Sequence, residues 1–304
     1  MTAPDPTQYP TRHYQHRVWD SARWQGFKFR PDDIFICTPY KAGTTWMQMI
    51  CALLIFQRSE FDRPLAEISP WMELRARSAA KTHAVFARQK HRRFIKTHTP
   101  LDGLPWRPDG RYISVLRDPR DIFVSMLNHI SNSNPEASAL FNDASDPTDG
   151  PPDMPSDPNE FFRLWLTTGS FEWESDGAPY WSVFRHGFTF WQHRHEANVQ
   201  MMHYSDLKAD LEGSMRQIAE FLGIEVPQDT WPALIKAAGF DSMKANADRT
   251  APDTNFRMWK DNSQFFNKGS SGQWQGVLSD QSLALLDQVT GQYPRDYIDW
   301  LIRG

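Results

Sequence analysis

Short apolar runs alternate along this chain with longer stretches whose apolar residues recur every three or four positions. Runs at 33–37, 93–96, 112–116 and 199–204 predict strands. The stretch 44–56 predicts a helix, with Met47, Ile50 and Leu54 among its apolar positions. Ile122, Met126 and Ile130, spaced by four, predict a second helix over 118–130. Ser205 is placed to cap a third, with Leu207, Leu211, Met215, Ile218 and Leu222 as its stripe. Ser279 is placed to cap a fourth carrying Leu283 and Leu286. This alternation predicts an α/β protein with a central parallel sheet flanked by helices. No repeat or linker divides the chain, so residues 1–304 read as a single domain. Residues 142–159 break the pattern. They are dense in Asp and Pro, contain Gly150-Pro151-Pro152, and predict a loop without regular structure.

Composition adds bounds. The chain has 304 residues, of which 40% are hydrophobic and 23% charged, as in an ordinary soluble globular protein. No signal region precedes the first run and no apolar stretch is long enough to span a bilayer, so the expected setting is cytoplasmic and not transmembrane. Cys37 and Cys51 sit in apolar surroundings and read as core residues of a reducing compartment. A net charge of −4 speaks against a nucleic-acid binder, so any anion site must be built locally. The 13 Trp and 20 Phe can line an apolar cavity or simply fill a large aromatic core. His193, His195 and Glu196 read as a solvated helix face, not as metal ligands. Residues 88–93 read as a solvated, basic lead-in to a strand.

Three places carry chemistry. Thr38-Pro39-Tyr40-Lys41-Ala42-Gly43-Thr44-Thr45-Trp46 follows the first apolar run and precedes a helix. Backbone N–H groups at such a turn, together with the helix dipole, make an anion cradle. Lys41 adds a point charge, Thr44 and Thr45 add hydroxyls, and Trp46 offers a face for a base. The Lys precedes the Gly, so this is not a Walker A loop. Arg117-Asp118-Pro119 is a second strand-turn-helix element. Its Arg117 can fork a phosphate, and Ser125 offers a hydroxyl eight residues on. Between the two lies Arg93-Phe94-Ile95-Lys96-Thr97-His98, where strand spacing points Lys96 and His98 to one side.

Taken in order, these elements resemble the cytosolic-type sulfotransferases, which use 3′-phosphoadenosine 5′-phosphosulfate (PAPS). Lys-x-Gly-Thr-Thr-Trp is similar to their 5′-phosphosulfate loop, Arg117 with Ser125 to their 3′-phosphate element, and Lys96-x-His98 to their catalytic segment. His203-Tyr204-Ser205-Asp206-Leu207-Lys208 and Gly239-Phe240-Asp241-Ser242-Met243-Lys244 resemble the adenine-contacting segments. Lys268-Gly269-Ser270-Ser271-Gly272-Gln273-Trp274 resembles the third anion contact. The likeness covers about residues 30 to 276, and in its overall wording it is nearest to bacterial glycolipid-type members. It implies a P-loop-like sulfotransferase fold and PAPS as co-substrate, with 3′,5′-ADP as product and no metal. It also implies His98 as general base, with Lys41, Lys96 and Ser125 completing the catalytic group. Gly43, Thr44, Thr45, Trp46, Arg117, Ser125, Tyr204, Phe240, Lys268 and Gly269 would hold the donor, with adenine between Trp46 and Phe240. The acceptor would be a hydroxyl of a small molecule or a glycolipid, and the 142–159 loop would border its pocket as a lid. A homodimer stays open, because the C-terminal dimerisation segment of the animal members is not evident.

The chain departs from the family pattern at several positions. Ala42 replaces a Ser, Asn267 an Arg and Gln273 an Asp, and Pro39-Tyr40 inverts the usual order. Two rival readings remain: an ATP-using kinase, which lacks Gly-Lys-Ser/Thr and a Mg²⁺ carboxylate, and a non-catalytic nucleotide- or lipid-binding protein on the same fold.

Overall fold

Four parallel strands, β1 (Ile34–Cys37), β2 (Phe94–Thr97), β3 (Arg111–Leu116) and β4 (Val199–His203), form the sheet in the order β2-β1-β3-β4. The computed structural model describes residues 5–138, 154–252 and 257–303. Cys37 lies opposite Thr97 on one side and Ser114 on the other, and Leu116 lies opposite His203. The chain runs from β1 outward to β2, then back past β1 to β3. The strand order therefore reverses between β1 and β3. At such a switch point the connections leave in opposite directions and open a crevice at the carboxyl ends of the strands. The segments after β1, β2, β3 and β4 all meet there.

Both faces of the sheet are covered, which is why the central strand β1, Ile34-Phe35-Ile36-Cys37, is an unbroken apolar run. All four residues of β1 are buried. On one face the helix Thr44–Phe56 packs with Leu211–Leu222 and Trp231–Ala238 around Met47, Ile50, Leu54, Met215 and Leu234. That first helix is apolar nearly all round, as a helix enclosed by others must be. On the other face Pro119–Asn132, Pro158–Thr167 and Val183–Trp191 pack with the C-terminal helices around Phe123, Trp165, Phe184 and Tyr297. Cys37 and Cys51 are buried and free.

Several expectations shift. The strand expected at 93–96 runs one residue later. The helix expected from Ser205 is two helices, Tyr204–Ala209 and Leu211–Leu222. The break falls at Asp210, whose carboxylate accepts from Gly213 N at 2.8 Å and caps the second. His203, not Ser205, caps the first. Arg93 is no solvated lead-in. It is buried, paired with the equally buried Asp33 and laid over the Phe27 ring at 4.8 Å. His193 is buried too, edge-on to Tyr9 in a turn after the helix, while His195 and Glu196 are exposed. Of the expected loop at 142–159, residues 142–153 lie outside the described residues, and with them the expected lid. Pro158 and Asn159 already belong to the helix that Asp157 caps.

Burial also sets an acid limit. It holds His186 down to about 3 and His203 to about 4, against about 6.5 in an unfolded chain. Below pH 6.5 the unfolded state therefore binds more protons, and stability falls as the pH drops. At pH 5 each histidine costs about 2 kcal/mol. The thermal midpoint is expected to fall by roughly 5 °C between pH 7 and pH 5 from these two groups. Neither ring nitrogen of His186 has a hydrogen-bond partner. His186→Leu is therefore expected to recover about half of that loss, read from melting curves across the pH range.

Candidate active site

A cavity of about 510 Å³ opens at the switch point and is lined from all the segments that meet there. Lys41, Gly43, Thr44, Thr45, Trp46, Lys96, His98, Arg117, Ser125, Tyr204, Phe240 and Gly269 all line it. Lys268 does not: its side chain is exposed, and only its neighbours Asn267 and Gly269 face inward.

The first wall is the turn after β1. Gly43 has φ 106°, in the left-handed region, and its carbonyl accepts from Met47 N at 3.0 Å to start the helix. A Cβ there would stand 3.1 Å from the Tyr204 ring. Thr38 and Thr44 share a hydroxyl contact of 2.5 Å. Trp46 is pinned by its indole N–H to Ala238 O at 2.8 Å and lies edge-on to Tyr204. Phe240 begins its own short helix and also lines the cavity. It is wedged there by Gly269, where a Cβ would come within 2.6 Å of the ring. Among the described residues Trp46 and Phe240 make no ring contact with each other, and both line the cavity.

The second wall is Arg117 at the end of β3. Its guanidinium lies 4.4 Å over the Tyr204 ring, donates to Ser270 O at 3.0 Å and faces Asp121 at 3.7 Å. Its Nε is buried and has no hydrogen-bond partner. A buried cationic donor of this kind fits a phosphate. Asp121 does a second task. Its carboxylate accepts from Gly272 N and Gln273 N, both at 2.9 Å, and so clamps the 267–273 turn beside Arg117. Asn267 and Gln273, the two departures from the family pattern, hydrogen-bond to each other at 3.1 Å. A neutral pair thus stands where the resemblance implies an Arg and an Asp. Asn267→Arg with Gln273→Asp is expected to tighten 3′,5′-ADP binding about tenfold, and more than Asn267→Arg alone, by calorimetry.

The third wall follows β2. His98 is 8% exposed, packed edge-on to Trp71 and stacked on Trp181. Its Nδ1 lies 2.8 Å from Thr38 O. A carbonyl only accepts, so Nδ1 carries the proton and the lone pair sits on Nε2. Burial, then the nearby Lys96 charge, holds the ring well below its usual titration range and therefore neutral. Lys96 Nζ lies 5.3 Å over the same Trp71 ring. Behind this strand end Glu73 is fully buried and accepts from Trp24 and Thr97, which fixes the residue before His98.

Lys41 Nζ lies 4.3 Å over the Phe265 ring and 3.4 Å from His129 Nδ1. Burial, then Arg117 and Lys96, holds it down to about 7. His129, Trp71, Trp181 and Tyr180 were not singled out in the sequence. His129 lies four residues after Ser125 on one helix, and that spacing was its only signal. Trp71 reaches the site through an isolated bridge to Lys96, and Tyr180 and Trp181 through a turn without periodicity.

Residues 31–297 match the family model described as a sulfotransferase domain. The chain is 33% identical over 307 residues to a glycolipid sulfotransferase of Mycobacterium bovis, covering 96% of this chain and 94% of that one. It is 26% identical to rat sulfotransferase 1 family member D1, with 84% and 81% covered. Its structure is similar to mouse sulfotransferase SULT7A1 complexed with PAP, with a TM-score of 0.67 at 22% identity and 91% and 89% of the two chains covered.

Proposed function

Because the chain belongs to the sulfotransferase family and is a PAPS-dependent sulfotransferase, we propose that His98 is the base that prepares an acceptor hydroxyl for the sulfuryl group. The observation that carries this is the His98 Nδ1–Thr38 O contact. It leaves a neutral imidazole with its lone pair on Nε2, in the same cavity as Lys41, Lys96 and the phosphate-competent Arg117.

The division of labour follows from charge. Arg117, Ser125 and the 267–273 turn hold the 3′-phosphate. Gly43, Thr44 and Thr45 present N–H and hydroxyl donors to the 5′-phosphate at the helix N-terminus. Trp46 and Phe240 take the two faces of adenine. The bound donor supplies a sulfuryl group on a good phosphate leaving group. His98 Nε2 takes the acceptor's proton, and the Thr38 carbonyl stabilises the imidazolium that results. Lys41 and Lys96 neutralise the charge that builds on the leaving side, in an enclosed site where such charges count most.

For the acceptor we propose a hydroxyl on a molecule with a broad flat or apolar face, a glycolipid or a small phenol or alcohol. The wall of Trp19, Trp71, Tyr180 and Trp181 around His98 supports this, as does the likeness to the mycobacterial glycolipid enzyme. Among the described residues no helix is long and apolar enough to cross a membrane. Transfer from ³⁵S-labelled PAPS to a panel of glycolipids, phenols and alcohols tests the reading. A thermal shift with 3′,5′-ADP and none with ATP is expected, and the reverse would favour a kinase.

A further inference from the structure

Lys41 stands in an unusual electrostatic setting. The charged groups facing it are Arg117 from the end of β3 and Lys96 from β2, both cations. His98 and His129 also line the cavity, whose wall further carries Arg17, Glu67, Arg77, Lys208 and the phenols of Tyr40, Tyr180 and Tyr204, but only Arg117 and Lys96 act on Lys41 as charges. Among the described residues no carboxylate lies within ion-pair distance of Lys41. Burial and two like charges therefore press the amine toward its neutral form, with burial the largest cause. A neutral amine cannot neutralise a leaving phosphate.

Two contacts act the other way. The Phe265 ring face lies 4.3 Å from Nζ and attracts a cation. His129 Nδ1 lies 3.4 Å from Nζ. His129 is itself held well below its usual range by burial and by Lys41 and Lys96, so its ring is neutral. A neutral imidazole whose Nδ1 faces an ammonium carries its own proton on Nε2 and accepts at Nδ1. The ring is braced against Trp259 at 4.5 Å, and Lys41 is aimed by a left-handed backbone with φ 60°. The geometry is a built contact between two elements 88 residues apart, not a chance approach of two surface chains.

We propose that His129 is a positioning residue: its Nδ1 accepts a hydrogen bond from the Lys41 ammonium and raises the share of that lysine that is charged before the donor binds. This rests on the reading that Lys41 faces the donor's phosphosulfate. When the donor arrives its negative charge takes over the ammonium, so His129 acts on the free enzyme and hardly on the loaded one.

That division gives the test. The pH dependence of kcat/KM for PAPS reports groups of the free enzyme, and that of kcat reports groups of the complex. The alkaline limb of kcat/KM is expected to move down by about one pH unit in His129→Phe, a loss of about tenfold at pH 8. The kcat profile is expected to stay within about threefold. His129→Gln, whose amide oxygen is an acceptor, is expected to restore most of the limb. A second readout needs no turnover. Calorimetry of 3′,5′-ADP binding at pH 7, in buffers of different ionisation enthalpy, counts the protons taken up. The count is expected to rise from about one half in the native protein to nearly one in His129→Phe. An unshifted limb, an upward shift, equal shifts in the Phe and Gln variants, or an unchanged proton count would each overturn the role of His129. A native protein that binds no 3′,5′-ADP and transfers no sulfate would instead overturn the reading it rests on.

Discussion

His98→Ala is expected to lower kcat for sulfuryl transfer by about 10²–10⁴-fold while leaving 3′,5′-ADP binding within about threefold. The asymmetry follows from where the ring sits. His98 is pinned between Trp71 and Trp181 on the aromatic wall, and its Nδ1 hydrogen bond goes back to the Thr38 carbonyl. Among the described residues its ring contacts and hydrogen bonds go to Trp71, Trp181 and Thr38, none of them assigned to the nucleotide. Removing the ring therefore removes a proton acceptor and a piece of acceptor wall but leaves the two phosphate elements intact. Stopped-flow turnover with saturating PAPS, beside calorimetry of the product nucleotide, separates the two effects. A variant that loses binding as steeply as turnover would make His98 a part of the donor cradle. A variant that keeps turnover would return the base to some other group.

The second large effect belongs to Arg117. Arg117→Ala is expected to weaken 3′,5′-ADP binding by about 10²-fold, as truncating one partner of a buried, charge-assisted contact does. Binding of 5′-AMP, which lacks the 3′-phosphate, is expected to change by less than about threefold. The comparison of two ligands guards against a trivial cause. The change also leaves Asp121 without its facing cation, and Asp121 clamps the Gly272 and Gln273 N–H groups. General loosening of that turn would weaken both nucleotides alike. Selective loss for the bisphosphate assigns the effect to the missing guanidinium. Equal loss would mean that Arg117 is chiefly a scaffold for the 267–273 turn.

How much of this was legible in the sequence depends on how each part is encoded. The proposed anion cradle is local: Lys41, Gly43, Thr44 and Trp46 lie within six residues, and an apolar run fixes their strand and a helical pattern their helix. The same holds for Arg117 with Ser125 and for Lys96 with His98. Parallel strands covered on both faces announce themselves by apolar runs, so the sheet was readable to within a residue. What could not be read is what tertiary contact decides. Asp210 breaks a helix whose apolar stripe runs straight through it, because a capping carboxylate beats the propensity of one residue. Arg93 and His193 look solvent-facing by residue type but are buried, because Asp33 and Tyr9 approach from distant segments. The aromatic wall around His98 comes from turns with no period, and His129 reads as one polar position on an otherwise ordinary helix.

The parallel sheet has a further consequence for handling the protein. Because every strand ends at the cavity by its carboxyl end, the opposite rim, where Asp32, Asp109 and Glu196 lead the chain into β1, β3 and β4, carries none of the proposed site among the described residues. Sequence can be added at that rim and the enzyme tethered by it, as a tool is held by its handle. The cavity then stays open to the nucleotide and to its acceptor.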